Sequence, residues 1–103
     1  MSTLAAALAG TALAISPADR MDIACIQTAT WLAAQDAKAG KPQTTARMMT
    51  IFFMGRLSGR SPSVQWVQVL DRELPTTSRS GSDHLRTMEQ CMPIMREVLR
   101  VPD

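Results

Sequence analysis

The sequence is short of the side chains from which most catalytic and metal sites are built. His84 is the only histidine, and a single imidazole excludes most zinc sites and every site that needs several histidine ligands. No serine lies in a nucleophile elbow, and Asp83 directly precedes His84, so the two do not face each other on a helix. Asp71 and Glu73 are two residues apart and point to different faces of a helix. We therefore expect no catalytic residues, no metal site, no cofactor and no enzymatic activity.

Aromatic residues are also scarce, with two tryptophans, two phenylalanines and no tyrosine. The chain has eleven basic and nine acidic residues and a formal net charge of +2. Most of the basic residues are arginines spread along the whole sequence, whereas a nucleic-acid-binding protein would cluster them with aromatics on one face. The pattern predicts a mixed, solvated surface and no nucleic acid partner.

Charged side chains are missing from the first 18 residues. Residues 4–15 form an uninterrupted apolar run, about as long as the apolar core of a signal peptide and too short to span a bilayer. The lysine or arginine that usually precedes such a core is absent. We predict a signal peptide over residues 1–18 and a single domain over residues 19–103. The alternative is an alanine-rich first helix that packs on the domain.

Two cleavage patterns follow the apolar run. Signal peptidase recognises small residues two positions apart, and the sequence offers Ser16-x-Ala18 and Ala12-x-Ala14. Cleavage after Ala18 would leave the residue-19 aspartate as the new N-terminus. The predicted destination is the periplasm or the outside of the cell, with no stable membrane insertion after cleavage.

Two cysteines, Cys25 and Cys91, lie near opposite ends of the predicted domain. In an exported chain two such cysteines are more often bridged than free. A bridge would close almost the whole domain into one loop and add about 4 kcal/mol to its stability on a chain-entropy estimate. In a cytosolic protein the same residues would be small buried apolar side chains.

Proline and glycine residues divide the rest of the chain into four helical segments, with no convincing strand. The first, residues 18–40, has one broad apolar stripe and ends at Gly40 and Pro42. The second, residues 44–60, begins at a threonine cap. Its apolar arc is so wide that we expect this helix to be the most buried element.

The third and fourth segments are also delimited by caps and prolines. Ser61 and Pro62 are expected to open the third helix, as its cap and first residue, and residues 75–82 to form a flexible loop. Ser82 or Asp83 is expected to cap the fourth helix. Pro93 removes a backbone hydrogen bond from it, so we expect a kink or a break just after the second cysteine. Both cysteines lie on apolar stripes and could meet if the first and last helices are neighbours.

Gly55 and Gly59 form a G-x-x-x-G pattern in the second segment. In a membrane helix this spacing indicates dimerisation. In a chain that carries Arg56 between them, it predicts instead a close approach of another backbone at Gly55 and the end of the helix at Gly59. No Gly-Lys-Ser/Thr follows, so the pattern is not a phosphate-binding loop.

A row of soft ligands on the fourth segment offers one alternative function. His84, Met88, Met92 and Met95 follow at roughly one-turn spacing, and thioether and imidazole ligands suit Cu(I). A methionine stripe at helical period is more often part of a core, because the flexible thioether fills irregular gaps. Copper binding requires that the sulfurs be accessible and converge.

Taken together, residues 19–100 resemble the small exported helical proteins of the HdeA-like acid-chaperone type and the similar Rap1a/Tai immunity proteins. The shared features are a cysteine on the first helix, an aromatic-x-x-Gly-x-x-x-Gly segment on the second, and a cysteine followed by proline on the last. The residues that carry them are Cys25, Phe52, Phe53, Gly55, Gly59, Cys91 and Pro93.

The resemblance implies an all-α, four-helix domain with one disulfide that joins Cys25 on the first helix to Cys91 on the last. It also implies that the protein acts by binding other proteins, either clients held under stress or one toxin that it neutralises, and a homodimer is one expected form. A chaperone of this type would open partly to expose its second helix. With one histidine and nine carboxylates, an acid trigger for that opening is not expected.

Overall fold

The protein is described from a computed structural model, in which residues 15–73 and 79–100 are placed. These residues form four helices and contain no strand, which confirms the all-α, four-helix prediction. The helices are α1, Pro17–Lys38; α2, Thr44–Arg60; α3, Trp66–Glu73; and α4, Gly81–Val98.

Helix α1 is the central element, since it packs against α2 on one side and against α4 on another. It begins where Ser16 accepts a hydrogen bond from the Asp19 backbone N–H at 3.1 Å, with Pro17 as its first residue. It ends before Gly40, whose φ of 68° is a left-handed conformation that favours glycine. Seven of its residues are buried, against four in α2. The prediction that the second helix is the most buried element is therefore wrong.

Helix α2 has one buried face and one exposed face. Met49, Phe53 and Leu57 are fully buried in the core, while Ile51 on the opposite side is 74% exposed. The predicted threonine cap is also wrong, because Gln43 occupies the cap position and makes no side-chain capping bond.

Gly55 of α2 does not have the role predicted for it. Apart from the helix's own nearby backbone, no atom lies within 4 Å of a Cβ built on Gly55 or on Gly59, so no second backbone approaches Gly55. The helix ends at Arg60, one residue after Gly59, and its bounds agree with the predicted segment, residues 44–60. The pattern lies on the exposed part of the helix, where it imposes no packing requirement.

The segment after α2 is a turn and not the start of the next helix. The Ser61 carbonyl accepts hydrogen bonds from the Val64 backbone N–H at 3.1 Å and from the Trp66 indole N–H at 3.1 Å. These bonds hold residues 61–65 in a turn, so α3 begins at Trp66 and the predicted start at Ser61 and Pro62 is wrong. Trp66 and Leu70 bury the inner face of α3.

Helix α4 begins earlier than predicted and passes through its proline. Ser80 caps it by accepting a hydrogen bond from the Asp83 backbone N–H at 3.2 Å, so the proposed caps, Ser82 and Asp83, lie inside its first turn. Residues 75–78 of the predicted loop lie outside the described residues, and residues 81–82 belong to α4 and not to a loop. The sequence predicts a kink or a break, and because the helix is continuous through Pro93, the break is wrong. Pro93 is exposed, and buried Cys91 and Met95 anchor the helix on both sides of it.

The predicted bridge between the first and last helices is present. Cys25 of α1 and Cys91 of α4 are joined by a disulfide, with their Cα atoms 5.8 Å apart and both residues fully buried. The prediction of a disulfide between these two residues is confirmed. Of the helices placed in the structure, none is both long enough and apolar enough to cross a membrane.

The predicted leader lies mostly outside the part of the chain that is described, since residues 1–14 are not among the placed residues. The remainder of the predicted leader, residues 15–18, contributes directly to the domain. Ile15 packs against the core, and Ser16 and Pro17 form the start of α1.

Candidate functional site

An open groove runs between α1 and α2, and we call it the α1–α2 groove. Its volume is about 320 Å³. Most of its lining side chains are small, so little side-chain volume fills the space between the two helices. The residues that line it are Ala29, Thr30 and Ala33 of α1, and Ala46, Arg47, Thr50 and Ile51 of α2.

The groove is apolar because its alanines are small and its threonines are already hydrogen-bonded. Ala29 and Ala46 are buried and contribute only methyl groups. Thr30 donates to the Ile26 carbonyl at 3.1 Å and Thr50 to the Ala46 carbonyl at 3.0 Å. Because both hydroxyl protons are used within their own helices, neither threonine donates a hydrogen bond to a ligand, and only the hydroxyl oxygens can still accept one. A ligand in the groove would therefore meet mainly hydrocarbon.

Exposed apolar side chains continue the groove onto the outer face of α2. Ile51, on the groove wall, is 74% exposed, and Met48, one turn before it, is 49% exposed. Phe52 is half-buried and meets Phe53 edge to face, with ring centroids 4.9 Å apart. Arg47 is the charged residue of the groove lining, and it forms no ion pair with any of the described residues.

Four charged side chains fasten α1 to α2 near the start of α1, and we call them the Asp–Arg clamp. The Asp22 side chain is fully buried, and it accepts a hydrogen bond from Arg56 Nε at 3.1 Å and another from Arg60. Asp19 accepts from Arg60 Nε at 3.0 Å. Burial opposes the charge on Arg60, but the hydrogen bonds and charges of Asp22 and Asp19 outweigh it and raise its pKa.

The clamp is a structural feature, because its cations and anions satisfy one another. It was not predicted from the sequence. A signal was nevertheless present, since Asp19 and Asp22 are three residues apart and Arg56 and Arg60 are four apart, which places each pair on one face of its helix. That spacing identifies two charged faces but does not say that they meet.

A second polar cluster joins α1 to α4 around His84. Its Nδ1 lies 3.0 Å from Thr28 Oγ1, and its ring stacks on that of Trp31, with centroids 5.1 Å apart. Arg79, just before α4, donates to Thr87 Oγ1 at 3.0 Å. Burial of the imidazole lowers the pKa of His84, the positive charge of Arg79 lowers it further, and Asp83 opposes both.

The methionines of α4 lie on the side of the helix that faces the core. Met95 is buried, and Met88 and Met92 are partly buried and pack against the core. His84 is itself held by Thr28 and Trp31. Within residues 15–73 and 79–100, no three or more histidine, cysteine, aspartate or glutamate side chains are grouped so as to hold a metal ion. These contacts are those of core residues and do not favour the copper alternative.

The remaining sequence-predicted residues are not brought together into a site. The exposed carboxylate of Asp71 lies on α3, and the Glu73 backbone carbonyl accepts a long hydrogen bond, 3.5 Å, from the Gln27 side chain. The Arg56 guanidinium lies over the Phe52 ring, 5.9 Å from its centroid, while Pro93 lies on the exposed side of α4.

No protein-family model matches this chain, and neither a curated protein nor a solved structure matches it. The α1–α2 groove, with its exposed isoleucine and its single arginine, is the surface of the described residues that is best suited to a ligand.

Proposed function

We propose that this chain is an exported protein-binding domain, and that the α1–α2 groove receives a helical segment of its partner. The observation that carries this proposal is the continuity of the apolar groove with exposed Ile51 and Met48. Contiguous exposed apolar surface rimmed by polar residues is typical of interaction sites. A groove between two helices suits an amphipathic helix, which lays its apolar face into the groove.

The helices that form the groove, α1 and α2, are fixed in position, and a rigid groove favours one dedicated partner. The Asp–Arg clamp fixes α2 on α1, and the Cys25–Cys91 bridge fixes α4 on the other side of α1. A site that is already formed loses little conformational freedom on binding. This arrangement suits neutralisation of a single partner, the role of an immunity protein.

Client holding is the second candidate, and exposed Met48 supports it. A flexible thioether adapts to differently shaped apolar surfaces, so it suits a protein with many partners. Because Met48 and Ile51 are exposed in the folded domain, such a chaperone would bind clients without first opening.

Export is part of the proposal, and the disulfide is compatible with it, since disulfides persist in oxidising compartments. The two cleavage patterns differ in what they leave of the start of α1. Cleavage after Ala14 keeps Ser16 and Pro17, whereas cleavage after Ala18 removes both the cap and the first residue of the helix. We expect the intact mass of the protein from its native host to correspond to a chain that begins at Ile15. An uncleaved mass, together with two free thiols, would contradict export.

The groove can be tested with a photo-cross-linking amino acid placed at one exposed apolar position at a time. We would compare position 51 on the groove wall with position 67 on α3, where Val67 is 63% exposed but lies outside the groove. Captured proteins would be identified by mass spectrometry, purified and titrated against the unmodified chain. A discrete complex that forms with the purified protein, and that Ile51→Ser weakens while Val67→Ser does not, is the expected result.

Two other outcomes are informative. Capture of many proteins at position 51, with suppression of their aggregation in light scattering at acidic or neutral pH, would assign the client-holding role. Equal capture at positions 51 and 67, or none at position 51 in the native host, would contradict protein binding in the groove.

A further inference from the structure

We infer that the partner's segment is acidic: an amphipathic helix whose apolar face fills the α1–α2 groove and whose carboxylates lie against the connection between α1 and α2. This inference rests on the proposed function and adds the chemistry of the partner. It is carried by the charges of residues 34–47, the end of α1, the connection and the first turn of α2, which we call the hairpin end. Arg47 is the cation of this segment that lines the groove.

Cations outnumber carboxylates at the hairpin end. Lys38, Lys41 and Arg47 are all exposed there, and Asp36 is the single acidic residue among residues 34–47. Among the described residues, none of these three cations forms an ion pair with a carboxylate. Elsewhere on the same two helices, the arginines of the Asp–Arg clamp are paired. Positive charge is therefore unbalanced at the hairpin end, and Arg47 brings it to the groove wall.

The start of α2 adds to this positive charge. Gln43 makes no side-chain capping bond, and the first turn of α2 has no acidic residue. The N–H groups of residues 44–46 consequently lack the capping acceptor that helix N-termini usually have. The helix dipole places a partial positive charge at the same point. Ala46 and Arg47 of that first turn line the groove, so a carboxylate at the end of an occupant would meet these groups.

An acidic helix fits this surface better than a second copy of this chain or a lipid chain. A second copy presenting the same face would oppose Arg47 with like charge, because α2 contains no aspartate or glutamate. A lipid chain is thin, whereas the apolar surface extends from the groove wall at Ile51 to the outer face at Met48. A helix with a broad apolar face covers both.

The test uses two synthetic amphipathic peptides, each about 14 residues and roughly 21 Å long as a helix. They share the same leucine and alanine face and differ only in carrying glutamates or lysines at one end. Each fluorescently labelled peptide is titrated with the full disulfide-bonded chain at low salt, and binding is followed by anisotropy. We expect the acidic peptide to bind about fivefold or more tightly than its basic twin, as for a few partly exposed charge pairs.

Matched variants show separately which residue causes the preference for the acidic peptide and which residue makes the apolar contact. Arg47→Glu should abolish the acidic preference or reverse it, while Arg20→Glu, an exposed arginine at the far end of α1, should leave it unchanged. Ile51→Ser should weaken the binding of both peptides about three- to tenfold, because it removes apolar contact area, whereas Val67→Ser should leave their binding unchanged. Circular dichroism of each variant checks that the fold is intact.

The outcomes separate this inference from the function on which it rests. If the two peptides bind equally and Ile51→Ser weakens the binding of both, the acidic preference is overturned and the proposed protein-binding function is retained. Binding of neither peptide would count against both. Two results would overturn the inference by identifying a different occupant of the groove. One is a dimer in sedimentation analysis that Ile51→Ser dissociates. The other is Arg47-dependent binding of the protein to phosphatidylcholine–phosphatidylglycerol vesicles, without binding of either peptide.

Discussion

Asp22 shows at the scale of a residue how a buried charge can hold two helices together. Its side chain is fully buried, and its two arginine partners come from a helix that begins 22 residues further along the chain. Removal of one partner from a buried ion pair leaves the other charge unsatisfied, which costs more than the pair itself contributes.

We expect Asp22→Asn to lower the free energy of unfolding by about 1 to 3 kcal/mol, measured by urea denaturation at neutral pH. The loss falls short of that for a fully buried pair because Arg56 and Arg60 are each about one third exposed. Glu97→Gln, which removes an exposed pair with a 4.0 Å separation, is the control and should change stability by less than about 0.5 kcal/mol. Equal effects of the two substitutions would contradict the structural role of the clamp.

We expect His84 to make the stability of the domain depend on pH. Burial and Arg79 lower the pKa of the folded-state imidazole below the ordinary value of 6.5. The unfolded chain therefore takes up a proton at a higher pH than the folded chain does. The neutral imidazole contributes stability that is fully present above the unfolded pKa and is lost as the pH falls through the folded pKa.

We expect the free energy of unfolding to fall more between pH 7.5 and pH 5 in the unmodified protein than in His84→Gln. Comparing the pH dependence of the two unfolding free energies cancels the contribution of the carboxylates that both proteins share. The comparison does not depend on any loss of stability that the substitution causes at pH 7.5. Parallel pH profiles would show that His84 does not couple protonation to folding.

At the scale of the element, the sequence predicted the number and type of the helices but not all of their ends. The local sequence offers a threonine, serine or aspartate as the cap of each helix, whereas Ser80 caps α4 and Gln43 precedes α2 without a side-chain cap. Several residues near a helix start can serve as the cap, and only the path of the chain selects one. Long-range packing also explains why Pro93 does not break α4. Buried residues on both sides hold α4 together across its missing hydrogen bond.

Glycine positions in α2 give a direct test of how this helix packs. Because nothing lies within 4 Å of a Cβ on Gly55, Gly55→Ala should raise the free energy of unfolding by about 0.5 to 1 kcal/mol through a lower entropy of the unfolded chain. Gly40→Ala should have the opposite effect, because the φ of Gly40 is 68°. Thermal melts of the two variants measure both. A destabilising Gly55→Ala would indicate the close backbone approach that the structure does not contain.

At the scale of the molecule, the Cys25–Cys91 bridge closes a loop of 66 residues in sequence separation. A cross-link of this length removes much of the freedom of the unfolded chain. A domain of this size buries a limited share of its surface and is marginal without such help. The bridge also ties together the two helices between which the His84 cluster lies.

We expect the double variant Cys25→Ala and Cys91→Ala to be less stable than the oxidised protein by about 4 kcal/mol, measured by urea denaturation. The unmodified protein in the presence of a reductant should behave like the double variant. A loss below about 1 kcal/mol in both experiments would mean that the helices hold the fold without the bridge.

The sequence by itself determined the helical class, the number of helices and the two cysteines available to staple the domain. These features follow from local rules, namely apolar residues at three- and four-residue spacing and prolines and glycines between the segments. Only the tertiary structure decided which faces meet. It paired Asp22 with arginines of α2, placed His84 against Trp31, and left Ile51 beside an open groove. Periodicity specifies that a helix has an apolar face, but the neighbour that covers this face is set by long-range packing.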